Sequence, residues 1–301
     1  MYDITNPIYT DKDKAREHLE ALHWPTGPVC PHCGGVDKIK KLEGKSTRPG
    51  VYKCNQCRKP FTVTVGTIFE DSKIPLNKWL LAFRLMAGSK KGMSAHQLHR
   101  SLGITYKSAW FMAHRIREAM KQDNGPMGGP GKVVEADETF VGGSARNRAW
   151  TYPAPKKIVF SLVERDGHVR SYHVANVTQK TLRPLVMENV HRASLLMTDE
   201  NRVYHRMGKE FAGHGSTAHY RGFYANGIVH SNNVENFFSI FKRGIIGVYH
   251  HVSEAHLARY TAEFDFRYNT RKIDDTERTA EALRGAIGKR LTYRRTDKLA
   301  A

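Results

Sequence analysis

The chain has four cysteines, and they stand in two pairs, Cys30-Pro31-His32-Cys33 and Cys54-Asn55-Gln56-Cys57, with twenty residues between the pairs. Two such knuckles aim four thiolates at one ion, the arrangement Zn²⁺ takes in closed tetrahedral sites. Gly34 and Gly35 supply the positive-φ freedom that the first knuckle needs. His32 lies inside a knuckle, but four thiolates already fill the coordination sphere, so it is expected to face solvent. Disulfide pairing is the competing chemistry and belongs to secreted proteins. The first ten residues show no basic region followed by an apolar stretch, so no secretion signal is read.

A second set is built of carboxylates. Asp137 falls within a strand-like run, and Asp199 closes another strand 62 positions on. Glu235 begins a helical pattern, with 35 residues between it and Asp199. Three such acids share a small space only where a cation offsets their repulsion, and hard oxygen ligands select Mg²⁺ or Mn²⁺. Two such ions activate a water or a 3′-hydroxyl and stabilise the leaving oxygen in phosphodiester displacement. Strand alternation puts Glu135, Asp137 and Thr139 on one side, and Glu138 with Val134 and Ala136 on the other. Glu138 and Glu200 are therefore read as supporting or surface charges. Lys242, two turns after Glu235, lies over the same helix face, so an amine for a DNA strand projects beside a carboxylate for metal. Phe237, Phe238 and Phe241 take the core side.

The elements that must position these groups follow from the patterning. Residues 1–28 read as a helical segment through Ala15, Leu19 and Leu22. The ribbon occupies 29–66, and from Lys38 to Lys59 eight Lys or Arg meet one acid, Glu43. Residues 67–122 are helical. Ser94 and Gln97 form a capping box, and Gly103 turns one helix into the next, which carries Lys107, Arg115 and Arg117. The pair fits a DNA-binding helix-turn-helix, with a plain αα-hairpin as the bland alternative. Residues 123–132, rich in Gly and Pro, are a linker. Residues 133–270 give three antiparallel strands, a helix-crossed strand and further helices. That is the order of an α/β, ribonuclease-H-like domain with a mixed sheet. A basic tail, 271–301, follows.

The overall balance agrees with this reading. With 48 Lys and Arg against 29 Asp and Glu, the formal charge is +19 over 301 residues. An acidic small-molecule enzyme does not fit this charge, whereas a polyanion partner, nucleic acid being the commonest, does, and double-stranded DNA is the partner expected here. No apolar run approaches the ~18 residues of a membrane span, so a cytoplasmic, nucleoid-associated protein is expected.

Four segments carry a family resemblance: the two-CxxC ribbon, FTVTVGTIFEDSKIPLNKW, VVEADETFVGG and HSNNVENFFSIFKRGIIGVYHHVS. Over about residues 25–270 the chain resembles bacterial insertion-sequence DDE transposases of the zinc-ribbon-containing, ISXO-two-like group. The resemblance implies a ribonuclease-H-like core acting with Mg²⁺ on the terminal inverted repeats of the element, with homo-oligomers in the DNA complex. It maps the first two acids to Asp137 and Asp199. The family's third position varies between Glu and Asn, and both types occur here. Glu235 has the expected lysine seven residues later, and Asn232, one turn earlier, is the fallback. Lys242 and Arg243 are then expected at the DNA. Two other functions compete: a transcriptional regulator whose α/β domain is catalytically inactive, and a structure-specific nuclease without strand transfer.

Overall fold

The structure, a computed structural model, describes residues 3–123, 125–142, 156–217 and 229–292. Gly143 at the end of the third motif, Asn124 in the expected linker and the last part of the expected tail lie outside the described residues. The chain divides into two compact units, one comprising Met1–Lys121 with Ile273–Ala301, the other Gln122–Lys272.

In the first unit α1 (Lys12–His23) starts at Asp11, whose carboxylate accepts from the N–H groups of Asp13 and Lys14. Ala15 and Leu19 form its buried side. The ribbon is an antiparallel sheet of β1 (Ile39–Lys41), β2 (Tyr52–Cys54) and β3 (Pro60–Phe61). Its core amounts to Cys30, Cys54 and Phe61, with Trp24 and Tyr52 against them. Trp24 stands edge-on to both Tyr52 and Phe61, and the Tyr52 hydroxyl donates to Glu20 of α1 at 3.0 Å.

Three helices follow: α2 (Leu76–Gly88), α3 (Ala95–Leu102) and α4 (Tyr106–Ala119). Ser94 Oγ accepts from Gln97 N–H, and Gly103 ends α3 at φ +59°, a left-handed stop that suits glycine. Where the sequence suggests a basic tail from 271, Asp275–Arg284 instead form a helix. It is capped by the Asp274 carboxylate and packs on α1, α2 and α4. Its buried side is only Thr279, Ala282 and Leu283, a stripe too thin to stand out among charged neighbours.

The second unit is built on β4 (Val133–Val141), β5 (Lys157–Glu164), β6 (Val169–Val174), β7 (Leu195–Asp199) and β8 (Gly213–Thr217), in the order β6-β5-β4-β7-β8. The first three strands in sequence pair antiparallel, while β7 runs parallel to β4 and β8 parallel to β7. On one face α5 (Gln179–Asn189) and α6 (Arg202–Gly208) share a core with Val134, Ala136, Phe160 and Leu162. On the other α7 (Asn232–Gly244) and α8 (Glu254–Asn269) pack on Val159, Val163 and Val169. A mixed sheet of this order between two helical layers is the ribonuclease-H-like fold. Strand β8 went unread because Gly213-His214-Gly215-Ser216-Thr217 has neither apolar alternation nor β-branched weight before its last residue. No helix among the described residues is long and apolar enough to cross a membrane.

Candidate active site and zinc centre

The four cysteine sulfurs lie within 4.8 Å of one another. Cys30 Sγ stands 3.6 Å from Cys57 Sγ, and Cys33 Sγ 3.7 Å from Cys54 Sγ. A disulfide requires ~2.05 Å. A tetrahedron of ~2.3 Å Zn–S bonds has edges of about 3.8 Å, which these separations match. The two knuckles share one skeleton. Gly34 N–H donates to Cys30 O at 2.9 Å with Gly34 at φ +74°, and Arg58, the residue after the second pair, takes φ +63°. The backbone N–H groups of Cys57 and Gln56 hold the Cys54 thiol down to about 7, whereas desolvation and the neighbouring thiols push Cys33 up to about 12, so without an ion the four thiols do not all ionise together. His32 is exposed and outside the set, as expected.

All eight Lys and Arg between Lys38 and Lys59 are exposed. Lys40 of β1 sits directly opposite Lys53 of β2 in the register. Like charges in that position destabilise a strand pair, a cost that an anionic backbone laid across them removes. Lys107 is exposed in the first turn of α4.

Arg115 and Arg117 must be reassigned. Arg115 is 7% exposed, and its guanidinium donates to the carbonyls of Ile68, Glu70 and Leu291 at 2.8–3.0 Å. Arg117 is 2% exposed. Both belong to the interior rather than to a DNA-facing surface. The spacing held the clue for Arg115, which falls within the apolar stripe of Met112, Ile116 and Ala119.

The carboxylates come from three elements. Asp137 lies in the middle of β4, Asp199 ends β7, and Glu235 occupies the first turn of α7. The parallel ladder ends at the pair Glu135–Met197, two residues short of both Asp137 and Asp199, and the charge of Asp199 acts on Asp137. Helix α7 is seated by Val234, Phe237, Phe238 and Phe241, all buried. The three phenylalanines alone contribute on the order of 5–9 kcal/mol of burial, which fixes the roll of the helix.

The Asp137 carboxyl is pushed up to about 8, by burial first and then by the charges of Asp199, Glu138 and Glu235, against a backbone hydrogen bond from Glu138 N–H. The acids therefore feel one another across the site. Asp199 Oδ1 accepts from Asn201 N–H at 3.1 Å, and Glu235 Oε1 accepts from Ser231 Oγ at 2.9 Å. Among the described residues, the four sulfurs are the one close set of such ligand atoms.

Asn232 is exposed at the start of α7. Lys242 is also exposed and lines a cleft of about 370 Å³ with Phe140, Lys157, His250 and His251. Arg243 folds back on its own helix, donating to Ser239 O and Oγ. Sequence reasoning left Glu135, Arg165, Asn201, Tyr204 and Ser231 without roles. Each acts through a partner remote in sequence or through its own loop, and no short motif encodes that. One polar row had a partial signal: Ser161 opposite Asp137, then Ser171, whose N–H and Oγ both donate to Asp265 of α8.

With this geometry in view, two families match. Residues 128–269 match the ISXO2-like transposase domain, and residues 10–60 the transposase zinc-ribbon domain. The chain is also 27% identical over 282 residues to an uncharacterized protein in transposable element ISH50 of Halobacterium salinarum, covering 86% of this chain and 91% of that protein. A transposase zinc ribbon followed by an ISXO2-like transposase domain on one chain is what the two matches show, and the zinc-ribbon-bearing, ISXO2-like insertion-sequence transposases are the family to which this chain is similar.

Proposed function

We propose that the protein binds the terminal inverted repeats of its insertion sequence and catalyses metal-dependent cleavage and transfer of DNA strands. One observation carries this reading. Asp137, Asp199 and Glu235 come from three elements, and the Asp137 carboxyl, pushed up to about 8 by burial first, is raised further by the charges of Asp199, Glu138 and Glu235. A divalent cation relieves that repulsion, and an all-oxygen donor set suits Mg²⁺ or Mn²⁺. Asp137, Asp199 and Glu235 would hold it. When bound, such a cation supplies activation of a water or 3′-hydroxyl and charge for the leaving oxygen.

The chain's own residues do the rest. The exposed bases of the ribbon and Lys107 grip phosphates and set where the duplex lies. Lys242 and Arg243, on α7 beyond Glu235, hold the strand end near the acids. Glu235 is assigned as the third ligand because its charge acts on Asp137 and its carboxylate is oriented by Ser231. Asn232 is assigned to substrate or to the neighbourhood of Glu235. An element has two ends, so two or more copies of the chain join in the complex, on DNA in the nucleoid.

The experiment is a short duplex carrying one element end, incubated with Mg²⁺ and the full chain. A nicked strand with a free 3′-hydroxyl, followed by joining to a second duplex, is the expected result. Binding without any cut under Mg²⁺ or Mn²⁺ would favour the regulator, and cutting without joining the nuclease.

A further inference from the structure

Two glutamates of β4 flank Asp137 on opposite faces of the sheet, and both reach elements far away in sequence. Glu135 is 0% exposed. Its carboxylate accepts from Asn233 N–H at 2.8 Å, Asn233 Nδ2 at 2.8 Å, Val234 N–H at 3.1 Å and Arg165 Nε at 2.7 Å. Arg165 also donates to His230 O at 2.9 Å, tying down the residue before Ser231. Ser231 occupies the N-cap position of α7 yet makes no side-chain cap bond. Glu135 takes that place from the neighbouring strand, where its negative charge also suits the positive end of the helix. Glu235 sits in that same first turn.

Glu138 does the corresponding work on the other face. It accepts from Asn201 Nδ2 at 3.0 Å and from the Tyr204 hydroxyl. Asn201 is the residue whose N–H donates to Asp199 Oδ1, and its own side chain caps α6 by accepting from Val203 N–H at 3.2 Å. The loop after β7 is thereby pinned to β4 one residue past Asp137.

We infer that Glu135 and Glu138 are positioning residues of the active site, Glu135 setting Glu235 through the first turn of α7 and Glu138 setting Asp199 through Asn201. One short stretch of strand thus carries the first acid and holds the other two at their distances from it. The inference rests on the assignment of Asp137, Asp199 and Glu235 as cation ligands. Partners that orient ligands in this way are each worth about 10- to 100-fold in metal affinity.

Calorimetric titration of the full-length protein with Mn²⁺ tests it without recourse to turnover. Glu135→Gln and Glu138→Gln should each weaken Mn²⁺ binding by about 10- to 100-fold. The decisive readout is the pattern in double variants. The effect of Glu135→Gln should vanish when Glu235 is already alanine and persist when Asp199 is. The effect of Glu138→Gln should vanish in Asp199→Ala and persist in Glu235→Ala. General loosening of the fold gives the same loss in every background, so that result, or no loss at all, overturns the inference.

Should either glutamine variant fail to fold by circular dichroism, Asn233→Ala and Asn201→Ala take its place, since they remove donors and keep both acids. Unaltered affinity in those variants also overturns it. If Asp137→Ala leaves Mn²⁺ binding untouched, the ligand assignment itself is wrong. If Asp137→Ala abolishes binding while both glutamine variants bind normally, only the positioning roles fall.

Discussion

The zinc centre and the carboxylate centre proposed to hold a cation are two sites on one chain, built on opposite plans. Every zinc ligand comes from a knuckle that closes on its own backbone, so the site carries its geometry in a few local hydrogen bonds. Only a small apolar cluster surrounds it, Phe61 with Trp24, Ile39, Tyr52 and Val65. The carboxylates come from a strand centre, a strand end and a helix start, and a full hydrophobic core on each sheet face holds those elements in place. The ribbon is therefore expected to depend on its ion for its fold. The proposed acid site should depend on its fold for its ion. Each plan fails in its own way, and that is how the contrast is tested.

The largest effect belongs to the acids. Asp137→Ala, Asp199→Ala or Glu235→Ala should each lower strand cleavage and joining by roughly a thousandfold or more, with DNA binding and zinc content unchanged. Asn232→Ala is the control. If it is dead while Glu235→Ala still cuts, the third ligand is Asn232.

Cys54→Ser strikes the other plan. Elemental analysis should find about one zinc per unaltered chain and none in the variant. DNA affinity should drop while the melting transition of the 122–272 unit stays where it was. A variant that keeps its zinc would show that the thiolates do not form the site.

A third test uses acidity. The folded value of about 8 for Asp137 lies above its ordinary 3.8, so its ionised form is the one the fold disfavours. Without divalent cation, the stability it contributes is complete below about pH 4 and is lost as pH rises towards 8. Mg²⁺ offsets the charge over that same window. The rise in Tm on adding Mg²⁺ should therefore widen from pH 5 to pH 8, and Asp137→Asn should flatten it.

Smaller effects separate surface from interior among the bases. Replacing Lys40 and Lys53 together by Ala should weaken binding several-fold and reduce the slope of log affinity against log salt by about two. Arg115→Ala should leave that slope alone. It strips donors from three carbonyls at about 1–3 kcal/mol for each one left unsatisfied, so its signature is a lower Tm for the unit that contains it.

The zinc ligands, the strand that holds Asp137 and the helix that aligns Glu235 with Lys242 were legible because periodicity and short spacing encode them. What stayed hidden is carried by partners distant in sequence. Glu135 looks like any strand acid until Asn233 and Val234, almost a hundred residues on, are folded against it. Arg115 and Arg117 were misread because a tally of charge along the chain says nothing of burial. Strand β8 and the helix Asp275–Arg284 lacked the apolar contrast that marks an element, since their neighbours supply it.

That last helix has a consequence for how the protein is made. It packs on α1 and α2, yet roughly 190 residues separate it from the end of α2. At about 5–20 residues per second, the ribosome reaches it some ten to forty seconds after α2 has been made. During that interval the whole 122–272 unit is synthesised, so the sheet that carries Asp137 and Asp199 is finished before the first unit acquires its closing helix. A chain interrupted after residue 272 would still contain Asp137, Asp199 and Glu235 but would lack a wall of the unit that carries the ribbon.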